Sequence, residues 1–280
     1  MNETIHLNQP INLKITLNSG QVFRWKIYKD GWNGFIDNHL IVIHQKNSIL
    51  TINFSPNIAS KIKHLVSNFL RLDDNIVEIY KSLEKYPRMN SLLSKFHGLR
   101  LIRQNPWECL ISFICSTNMN IVRNTGIQEA LAKNFGHQTE LMNIKRNTFP
   151  SPEAIYDAGI SKLQQIGLGY RAKYVWEASK MVRNGILPLE SLKNTTYENA
   201  RRELLSVPGV GNKVADCVLL FSLDKIESFP IDRWISKELG NHKTHLSDKH
   251  YDFLASNARK KYGGIAGYAQ QFLFLSQRSL

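Results

Sequence analysis

The sequence predicts an α+β protein in which an antiparallel β-sheet domain is followed by an all-helical domain. In the first third of the chain, short apolar runs alternate with turn sequences, which is typical of an antiparallel meander. From about Leu101 onward, apolar residues recur at helical spacing almost to the last residue. A length of 280 residues agrees with roughly two domains. We therefore assign residues 1–98 to the sheet domain with some helices, and residues 99–280 to the helical domain.

The strands of the first domain follow from alternation and turn chemistry. Apolar and polar residues alternate over 13–17, which predicts a strand at the beginning of the meander. Asp30-Gly31 and Asp37-Asn38 favour tight turns between later strands. Those strands are expected over 21–28, 32–36, 40–45 and 50–54. Ser55-Pro56-Asn57 then begins a helix with one apolar face, formed by Ile58, Ile62, Leu65, Val66 and Phe69.

The second domain is expected to consist of consecutive helices. Asn105-Pro106 is a typical helix start, and the apolar residues that follow it would face the core. The proline-rich segment 149–152 marks a break between helices. The segments 166–169 and 207–211 both contain a Gly-x-Gly turn, where the backbone can approach a ligand closely. Further helices fit 120–135, 152–165, 170–183, 196–206, 212–223, 232–239, 248–261 and 265–277.

The chain is strongly basic, and this favours a polyanionic partner. It has 36 Lys and Arg residues against 23 Asp and Glu residues, a net charge of +13. Nucleic acid is the leading candidate for that partner. A basic intracellular protein without a polyanionic partner is the alternative.

Cysteine spacing and the distribution of apolar residues indicate an intracellular location. The three cysteines lack the spacing of a disulfide framework, a zinc site or an iron–sulfur site. No apolar run reaches the roughly 18 residues that a membrane span needs. The first residues contain no basic segment leading into an apolar one, so we expect no secretory signal. We expect a cytoplasmic, nucleoid-associated protein if the source is prokaryotic.

The most informative segment is the run 204–217, which reads Leu-Leu-Ser-Val-Pro-Gly-Val-Gly-Asn-Lys-Val-Ala-Asp-Cys. A helix is expected to end near Pro208, and Asn212 is expected to cap a new helix after the turn. Gly209 and Gly211 allow close backbone approach, and the new helix presents free N–H groups. This combination binds an anion such as a DNA phosphate without reading sequence. An ordinary helical hairpin without a ligand is the alternative.

Three side chains in and after this segment are candidates for chemistry. Lys213 lies in the first turn of the new helix, where burial and the helix dipole would favour the neutral, nucleophilic amine over a solvated ammonium. Cys217 lies one turn later on the same face, so it could form a thiolate–ammonium pair or be a small core residue. Asp232 follows a proline, can cap the next helix, and could also direct its carboxylate toward Lys213.

Five segments together carry a resemblance to a known family: Asn18–Trp25, Ser112–Asn118, Gly167–Ala172, the run 204–217 and Tyr268–Phe274. They resemble the helix-hairpin-helix glycosylase superfamily and, within it, the 8-oxoguanine DNA glycosylase family in its form with an N-terminal β-domain. The resemblance covers nearly the whole chain. It implies a TATA-binding-protein-like sheet domain followed by a helix-hairpin-helix glycosylase domain.

The resemblance implies a bifunctional DNA glycosylase/AP lyase of base excision repair. Such an enzyme flips out and excises 8-oxoguanine, preferentially opposite cytosine, and then nicks the strand by β-elimination. Lys213 matches the lysine that attacks the sugar C1′ and forms a Schiff base, and Asp232 matches the aspartate that stabilises positive charge on the sugar. The base contacts match Gly20 at the N7 proton, Gln270 at the Watson–Crick edge, and Cys217 and Phe274 on the two base faces.

The resemblance also implies contacts to the DNA and a structural cation. Contacts to the orphaned cytosine match Asn118, Arg123 and Arg171. Tyr170 matches a wedge into the opened stack, and the hairpin glycines match the phosphate contact. The chemistry needs no cofactor, and a structural monovalent or divalent cation at the hairpin would be held by the backbone carbonyls of Leu205, Val207 and Val210.

The chain departs from the family pattern at two positions. Trp234 stands where the better-known members have a histidine, which puts one phosphate contact in doubt. Met119 follows Asn118 where another asparagine is usual, which could loosen recognition of the opposite base.

The expected partner is double-stranded DNA that contains 8-oxoguanine, with no membrane and a monomeric protein. The alternatives are a glycosylase for alkylated or other damaged bases, a non-enzymatic helix-hairpin-helix DNA-binding module, and an unrelated basic scaffold protein.

Overall fold

Five strands form one antiparallel sheet in the first domain. The computed structural model describes residues 1–241 and 246–278. The strands are β1 (Asn2–His6), β2 (Lys26–Tyr28), β3 (Gly31–Ile36), β4 (His39–Lys46) and β5 (Ile49–Asn53), in the order β1-β5-β4-β3-β2. Both residues of the predicted Asp37-Asn38 turn have positive φ (45° and 63°), as a tight two-residue hairpin requires. The meander predicted from residue 32 to residue 54 is confirmed.

The prediction of a strand at 13–17 was wrong, because these residues form helix α1 (Leu13–Leu17). Asn12 caps this helix by accepting a hydrogen bond from the Ile15 N–H. The two leucines are four residues apart, so they share a helix face as readily as a strand face, and both are buried. The edge of the sheet is instead occupied by β1, which the sequence analysis did not anticipate and which pairs with β5.

Only the end of the predicted strand 21–28 is a strand. Gln21 is fully buried. Its side-chain Nε2 donates to the Arg100 carbonyl at 2.9 Å, and its side-chain Oε1 accepts from the Ile102 N–H at 3.0 Å. These side-chain hydrogen bonds, together with one from the Gln104 side chain to the Gln21 backbone carbonyl at 2.8 Å, join the segment before β2 to the second domain.

Twelve further helices follow α1 in the described part of the chain, and those predicted beyond residue 101 are confirmed to within a few residues at each end. The single helix predicted after Ser55 is divided into a 3-10 turn at Pro56–Ile58 and α2. The helices are α2 (Ile62–Phe69), α3 (Ile76–Leu83), α4 (Pro87–Lys95), α5 (Pro106–Ser116), α6 (Ile121–Phe135), α7 (Pro152–Leu163), α8 (Arg171–Arg183), α9 (Tyr197–Leu205), α10 (Asn212–Ser222), α11 (Arg233–Glu238), α12 (Asp248–Tyr262) and α13 (Ala266–Arg278).

A short hairpin interrupts the helical region between α6 and α7. Its strands are β6 (Gln138–Leu141) and β7 (Ile144–Asn147), and the sequence analysis did not predict it. The hairpin carries Arg146, which donates to the Asn33 side chain of β3 at 2.9 Å and to Glu129 of α6 at 2.6 Å. The hairpin therefore helps to fix the sheet against the helical domain.

Two apolar cores lie in the molecule. The smaller one packs the sheet residues Ile41, Ile43 and Ile52 against Ile62 and Val66 of α2. The larger one unites the helical elements from α3 to α13. In the described residues, none of the helices combines the length and the hydropathy that a membrane crossing requires.

Candidate active site

The turn between α9 and α10 exposes the backbone at two glycines, Gly209 and Gly211. Gly209 has φ +83°, and a Cβ atom there would lie 2.4 Å from Cγ of Tyr174. Gly211 is the N-cap of α10 and faces open space. The prediction that Asn212 is the cap was wrong by one residue, because its side chain is hydrogen-bonded to Arg201 and Asp248 instead. The first N–H groups of α10 thus have no side-chain cap, and this suits an anion.

Lys213 is the second residue of α10 and is half-buried, as the sequence predicted. Its Nζ donates to Oγ of Ser116 at 3.1 Å and lies 4.9 Å from the centroid of the Phe113 ring. Both contacts come from the end of α5, a helix about a hundred residues earlier in the chain. They hold the amine away from bulk solvent.

Asp232 is the N-cap of α11, as predicted. Its Oδ1 accepts from the backbone N–H of Trp234 at 3.0 Å and from that of Ile235 at 2.9 Å. Burial raises the pKa of Asp232 above its ordinary value, while these hydrogen bonds and the charge of Lys213 act in the opposite direction. The carboxylate and the amine therefore lie close enough to interact electrostatically.

Cys217 lies one helical turn after Lys213, and of its two possible roles the burial of its side chain favours that of a small core residue. Burial raises the pKa of Cys217 to about 12, and the charge of Lys213 acts in the opposite direction. Burial therefore disfavours the thiolate–ammonium pair. Desolvation decides the outcome because the side chain is almost completely buried.

Helix α13 meets the loop before β2 at Gly20. This glycine has φ +84°, and a Cβ atom there would lie 3.1 Å from Cε1 of Phe274 and 3.3 Å from Cδ1 of Ile121. Two other α13 side chains hold the same loop: Gln271 donates to the Ser19 carbonyl at 2.9 Å, and Arg278 donates to the Asn18 carbonyl at 2.9 Å. The structure thus brings Gly20 and Phe274 together.

Gln270 connects α13 to the segment that precedes Asp232. Its Nε2 donates to the Pro230 carbonyl at 3.1 Å. Its Oε1 is buried and has no hydrogen-bond partner among the residues that the structure describes. A buried acceptor without a donor is costly, so this oxygen is suited to accept a hydrogen bond from a ligand.

The predicted DNA contacts form a second group beside α8. Tyr170 is 55% exposed, and the Arg171 guanidinium lies 4.4 Å from the centroid of its ring. Arg171 itself is buried and donates to the Thr117 carbonyl at 3.1 Å and to the Asn118 carbonyl at 3.4 Å. Asn118 and Arg123 are exposed on either side of the turn that joins α5 to α6. In this state Arg171 therefore orders the turn that presents Asn118.

The predicted cation site remains a prediction. The Val207 carbonyl accepts from the Val210 N–H at 3.0 Å, which closes the hairpin turn and leaves one lone pair on that oxygen. No group of three or more His, Cys, Asp or Glu side chains in the described ranges is arranged to hold a metal ion.

A cavity of about 490 Å³ lies elsewhere, between the sheet domain and the helical domain. Its lining includes Trp25, Phe35, Arg103 and Glu190, and neither Lys213 nor Asp232 contributes to it. Polar and oppositely charged side chains line it, and because the amine and the carboxylate are not among them, we do not assign it to the active site.

The sequence analysis missed some residues that shape the site. Ser116 lies in one of the segments that carry the resemblance, but its contact with Lys213 spans 97 positions and needs the folded chain. Ile121 and Arg278 also form the surroundings of Gly20. No local pattern in the sequence marks these residues.

Two family models together match most of the chain. Residues 4–110 match the family model of the 8-oxoguanine DNA glycosylase N-terminal domain, and residues 111–262 match that of HhH-GPD superfamily base excision DNA repair proteins. The N-glycosylase/DNA lyase OGG1 of Arabidopsis thaliana is 30% identical over 284 residues, which cover 95% of this chain and 77% of that protein.

Two solved structures are similar over nearly their whole length. The structure of MBOgg1 in complex with a low-affinity DNA ligand has a TM-score of 0.92 and 29% identity, covering 99% of this chain and 96% of that one. The Clostridium acetobutylicum 8-oxoguanine glycosylase/lyase, solved with double-stranded DNA containing cytosine opposite 8-oxoG, has a TM-score of 0.89 and 26% identity, covering 100% of this chain and 98% of that one.

Proposed function

The chain belongs to the 8-oxoguanine DNA glycosylase family within the HhH-GPD superfamily, and from this premise we propose that it is a bifunctional DNA glycosylase and AP lyase of base excision repair. It flips 8-oxoguanine out of duplex DNA, preferentially opposite cytosine, excises it, and nicks the strand. The observation that carries this proposal is the electrostatic interaction of an amine with a buried carboxylate, Lys213 and Asp232, at the N-termini of two successive helices.

DNA binding has to offset the cost of extruding the base, which is a few kcal/mol. The net charge of +13 supplies long-range attraction to the phosphates. The uncapped N–H groups after Gly211 are suited to hold one phosphate without reading sequence. The exposed Tyr170 would fill the gap left in the stack, and the exposed Asn118 and Arg123 would contact the orphaned cytosine. Arg171 is buried and would reach the cytosine after it releases the Thr117 carbonyl.

Recognition of the base follows from the polar groups around Gly20 and Gln270. The Gly20 carbonyl accepts the N7–H that 8-oxoguanine has, whereas in guanine N7 offers only a lone pair and the two acceptors repel. The orphaned Oε1 of Gln270 accepts from the Watson–Crick edge. The neutral Cys217 and the Phe274 ring contact the two faces of the base.

The chemistry replaces the glycosidic bond by a bond to the lysine. Nζ of Lys213 attacks C1′ with its lone pair, the bond between C1′ and the base breaks, and the base leaves with the bonding electrons and takes up a proton from the attacking nitrogen. Asp232 stabilises the positive charge that develops on the sugar. In the resulting aminal the nitrogen lone pair then expels O4′ from C1′, O4′ takes up a proton, and the sugar ring opens to the protonated imine. Loss of a proton from C2′ of this imine expels the 3′-phosphate and nicks the strand.

The backbone carbonyls of Leu205, Val207 and Val210 are the proposed ligands of a structural cation at the hairpin. Carbonyl oxygens are the donors that hard cations prefer, and the Val207 oxygen retains one lone pair after its turn hydrogen bond. Such a cation would neutralise part of the phosphate charge next to the hairpin, and the excision chemistry itself needs no cofactor.

Borohydride trapping tests the proposal. Duplexes with 8-oxoguanine opposite each of the four bases are incubated with the protein and borohydride, and the covalent complex is measured. We expect trapping that is strongest opposite cytosine and that is abolished in Lys213→Gln, with DNA binding retained. Lys145→Gln, which removes an exposed lysine of the β6–β7 hairpin, is the matched control and should trap like the wild type. Undiminished trapping in Lys213→Gln would refute the assignment.

A further inference from the structure

A buried carboxylate that the proposed chemistry does not use lies on the same helix as Lys213. Asp216 is on α10, between Lys213 and Cys217 and next to the cysteine, and its side chain is fully buried. Its Oδ1 accepts from the Tyr197 hydroxyl at 2.7 Å and from Oγ of Ser228 at 3.2 Å, and its Oδ2 accepts from the Tyr251 hydroxyl at 2.7 Å. Burying a charged group is expensive, so such a network needs a reason.

One series of hydrogen bonds leads from Asp216 to Ile231, the residue before Asp232. The Tyr251 hydroxyl, which donates to Asp216, accepts a hydrogen bond from the Ile231 N–H at 3.1 Å. Ile231 is buried, and the preceding carbonyl, that of Pro230, is held by Gln270. The backbone that leads into α11 is therefore fixed on both sides of the peptide bond between residues 230 and 231.

A second series of contacts leads from Asp216 to Asn212, the residue before Lys213. The Arg201 Nε lies 3.6 Å from Oδ1 of Asp216, and Arg201 Nη2 donates to the Asn212 side chain at 2.6 Å. Asn212 in turn donates to Asp248 at 2.8 Å. Both series of contacts start at the Asp216 carboxylate. One ends at the residue immediately before Asp232, and the other ends at the residue immediately before Lys213.

We propose that Asp216 and Tyr251 are positioning residues that set how closely the Asp232 carboxylate approaches the Lys213 amine. The inference rests on the proposed function, because it assumes that this pair performs the excision. The Tyr251 hydroxyl, held by Asp216, is the acceptor that fixes the backbone from which Asp232 projects. A displacement of about 1 Å in a reacting pair lowers a rate by roughly a hundredfold, so a single buried hydrogen bond at this point has a large effect.

Two tyrosine variants separate positioning from stability. Tyr251→Phe removes the acceptor of the Ile231 N–H, whereas Tyr197→Phe removes an equally short hydrogen bond to the same carboxylate and leaves Ile231 untouched. Each variant is assayed for its melting temperature, its Kd for a duplex with 8-oxoguanine opposite cytosine, and its single-turnover excision rate on that duplex. The comparison of Kd with excision rate is the deciding measurement, because a loss of stability alone does not lower the rate of the folded, bound protein.

We expect Tyr251→Phe to lower the excision rate by about tenfold or more with an unchanged Kd, and Tyr197→Phe to stay within about twofold of the wild type. Asp216→Asn keeps the shape of the side chain and weakens its hold on the Tyr251 hydroxyl, so it provides a second test with a smaller decrease in the same direction. Equal excision rates in the two tyrosine variants, or no decrease in Asp216→Asn, would overturn the inference. A wild-type protein that does not excise 8-oxoguanine would instead refute the proposed function.

Discussion

Replacing Gly20 by alanine places a methyl group against the surface that is proposed to read the lesion. The new Cβ would lie 3.1 Å from Cε1 of Phe274, 3.1 Å from Nη1 of Arg278 and 3.3 Å from Cδ1 of Ile121. All three contacts are tighter than ordinary van der Waals contact, and each involves the end of a side chain. The loop or the Phe274 ring must therefore shift by a few tenths of an ångström.

Two effects of Gly20→Ala can be estimated separately. The φ of +84° is unfavourable for any residue with a Cβ and costs about 1–2 kcal/mol of folding free energy. The shifted carbonyl no longer meets the N7–H of 8-oxoguanine, and a buried donor left without its acceptor costs about 1–3 kcal/mol. That second cost corresponds to a decrease of about 5- to 150-fold in the excision rate.

Gly185→Ala is the matched control, because it shares the backbone strain without the contacts. Gly185 has φ +70°, and nothing lies within 4 Å of the position of its Cβ. Urea unfolding should show a similar loss of stability in both variants, whereas single-turnover excision should fall only in Gly20→Ala. The reasoning is refuted if Gly20→Ala keeps the wild-type preference for 8-oxoguanine over guanine, or if Gly185→Ala loses activity to the same extent.

Three further outcomes are expected. Ser116→Ala removes the acceptor of the Lys213 Nζ–H and should lower the single-turnover excision rate by up to about tenfold, since such a hydrogen bond contributes about 0.5–1.5 kcal/mol. Because burial raises the pKa of Asp232, the excision rate should fall with decreasing pH at a higher pH than the titration of an exposed aspartate would give; a pH–rate profile that stays flat down to about pH 4 would contradict this. Gly209→Ala would place a Cβ atom 2.4 Å from Cγ of Tyr174, so the hairpin must shift and the Kd for undamaged duplex should rise, which a fluorescence anisotropy titration measures.

The extent to which the fold followed from the sequence depended on the range of the deciding interactions. The turn at 37–38 and the helix start at Asn105-Pro106 are local, and they were predicted correctly. The earlier turn lies at 29–30, one residue before the predicted Asp30-Gly31, because Gly31 already pairs with Tyr28 as the first residue of β3. Residues 13–17 were misassigned because a run of five residues fits a strand and a helix equally well, and only the pairing of β1 with β5 settles it. The β6–β7 hairpin lies in a polar segment with no strong alternation, and its contacts with β3 and α6 are non-local.

The candidate site shows the same difference between residues set by local sequence and residues set by long-range contacts. Lys213 and Asp232 could be placed from local rules, because each lies at a recognisable helix start. Gly20, Gln270 and Phe274 were identified through the resemblance alone, and the structure then brought Gly20 and Phe274 into contact range. The choice between a thiolate and a core residue at Cys217 depends on burial, which disfavours the thiolate and cannot be inferred from a spacing of four residues. The link from Asp216 through Tyr251 to Ile231 joins three separate segments and has no sequence signature.

The two departures from the family pattern affect contacts with DNA and leave the amine–carboxylate pair intact. Residue 234 contributes its backbone N–H to Oδ1 of Asp232, and any residue except proline supplies that donor. The tryptophan ring takes no part in this hydrogen bond. The guanidinium of Arg233 lies 5.0 Å from the centroid of the ring and provides a cation at the same end of the helix. Met119 is half-buried against the helical core, so it gives the turn after α5 an apolar anchor in place of a polar group. Variation at these two positions should therefore alter affinity and the choice of opposite base, while in the proposed mechanism the geometry of excision depends on Ser116, Asp216 and Tyr251.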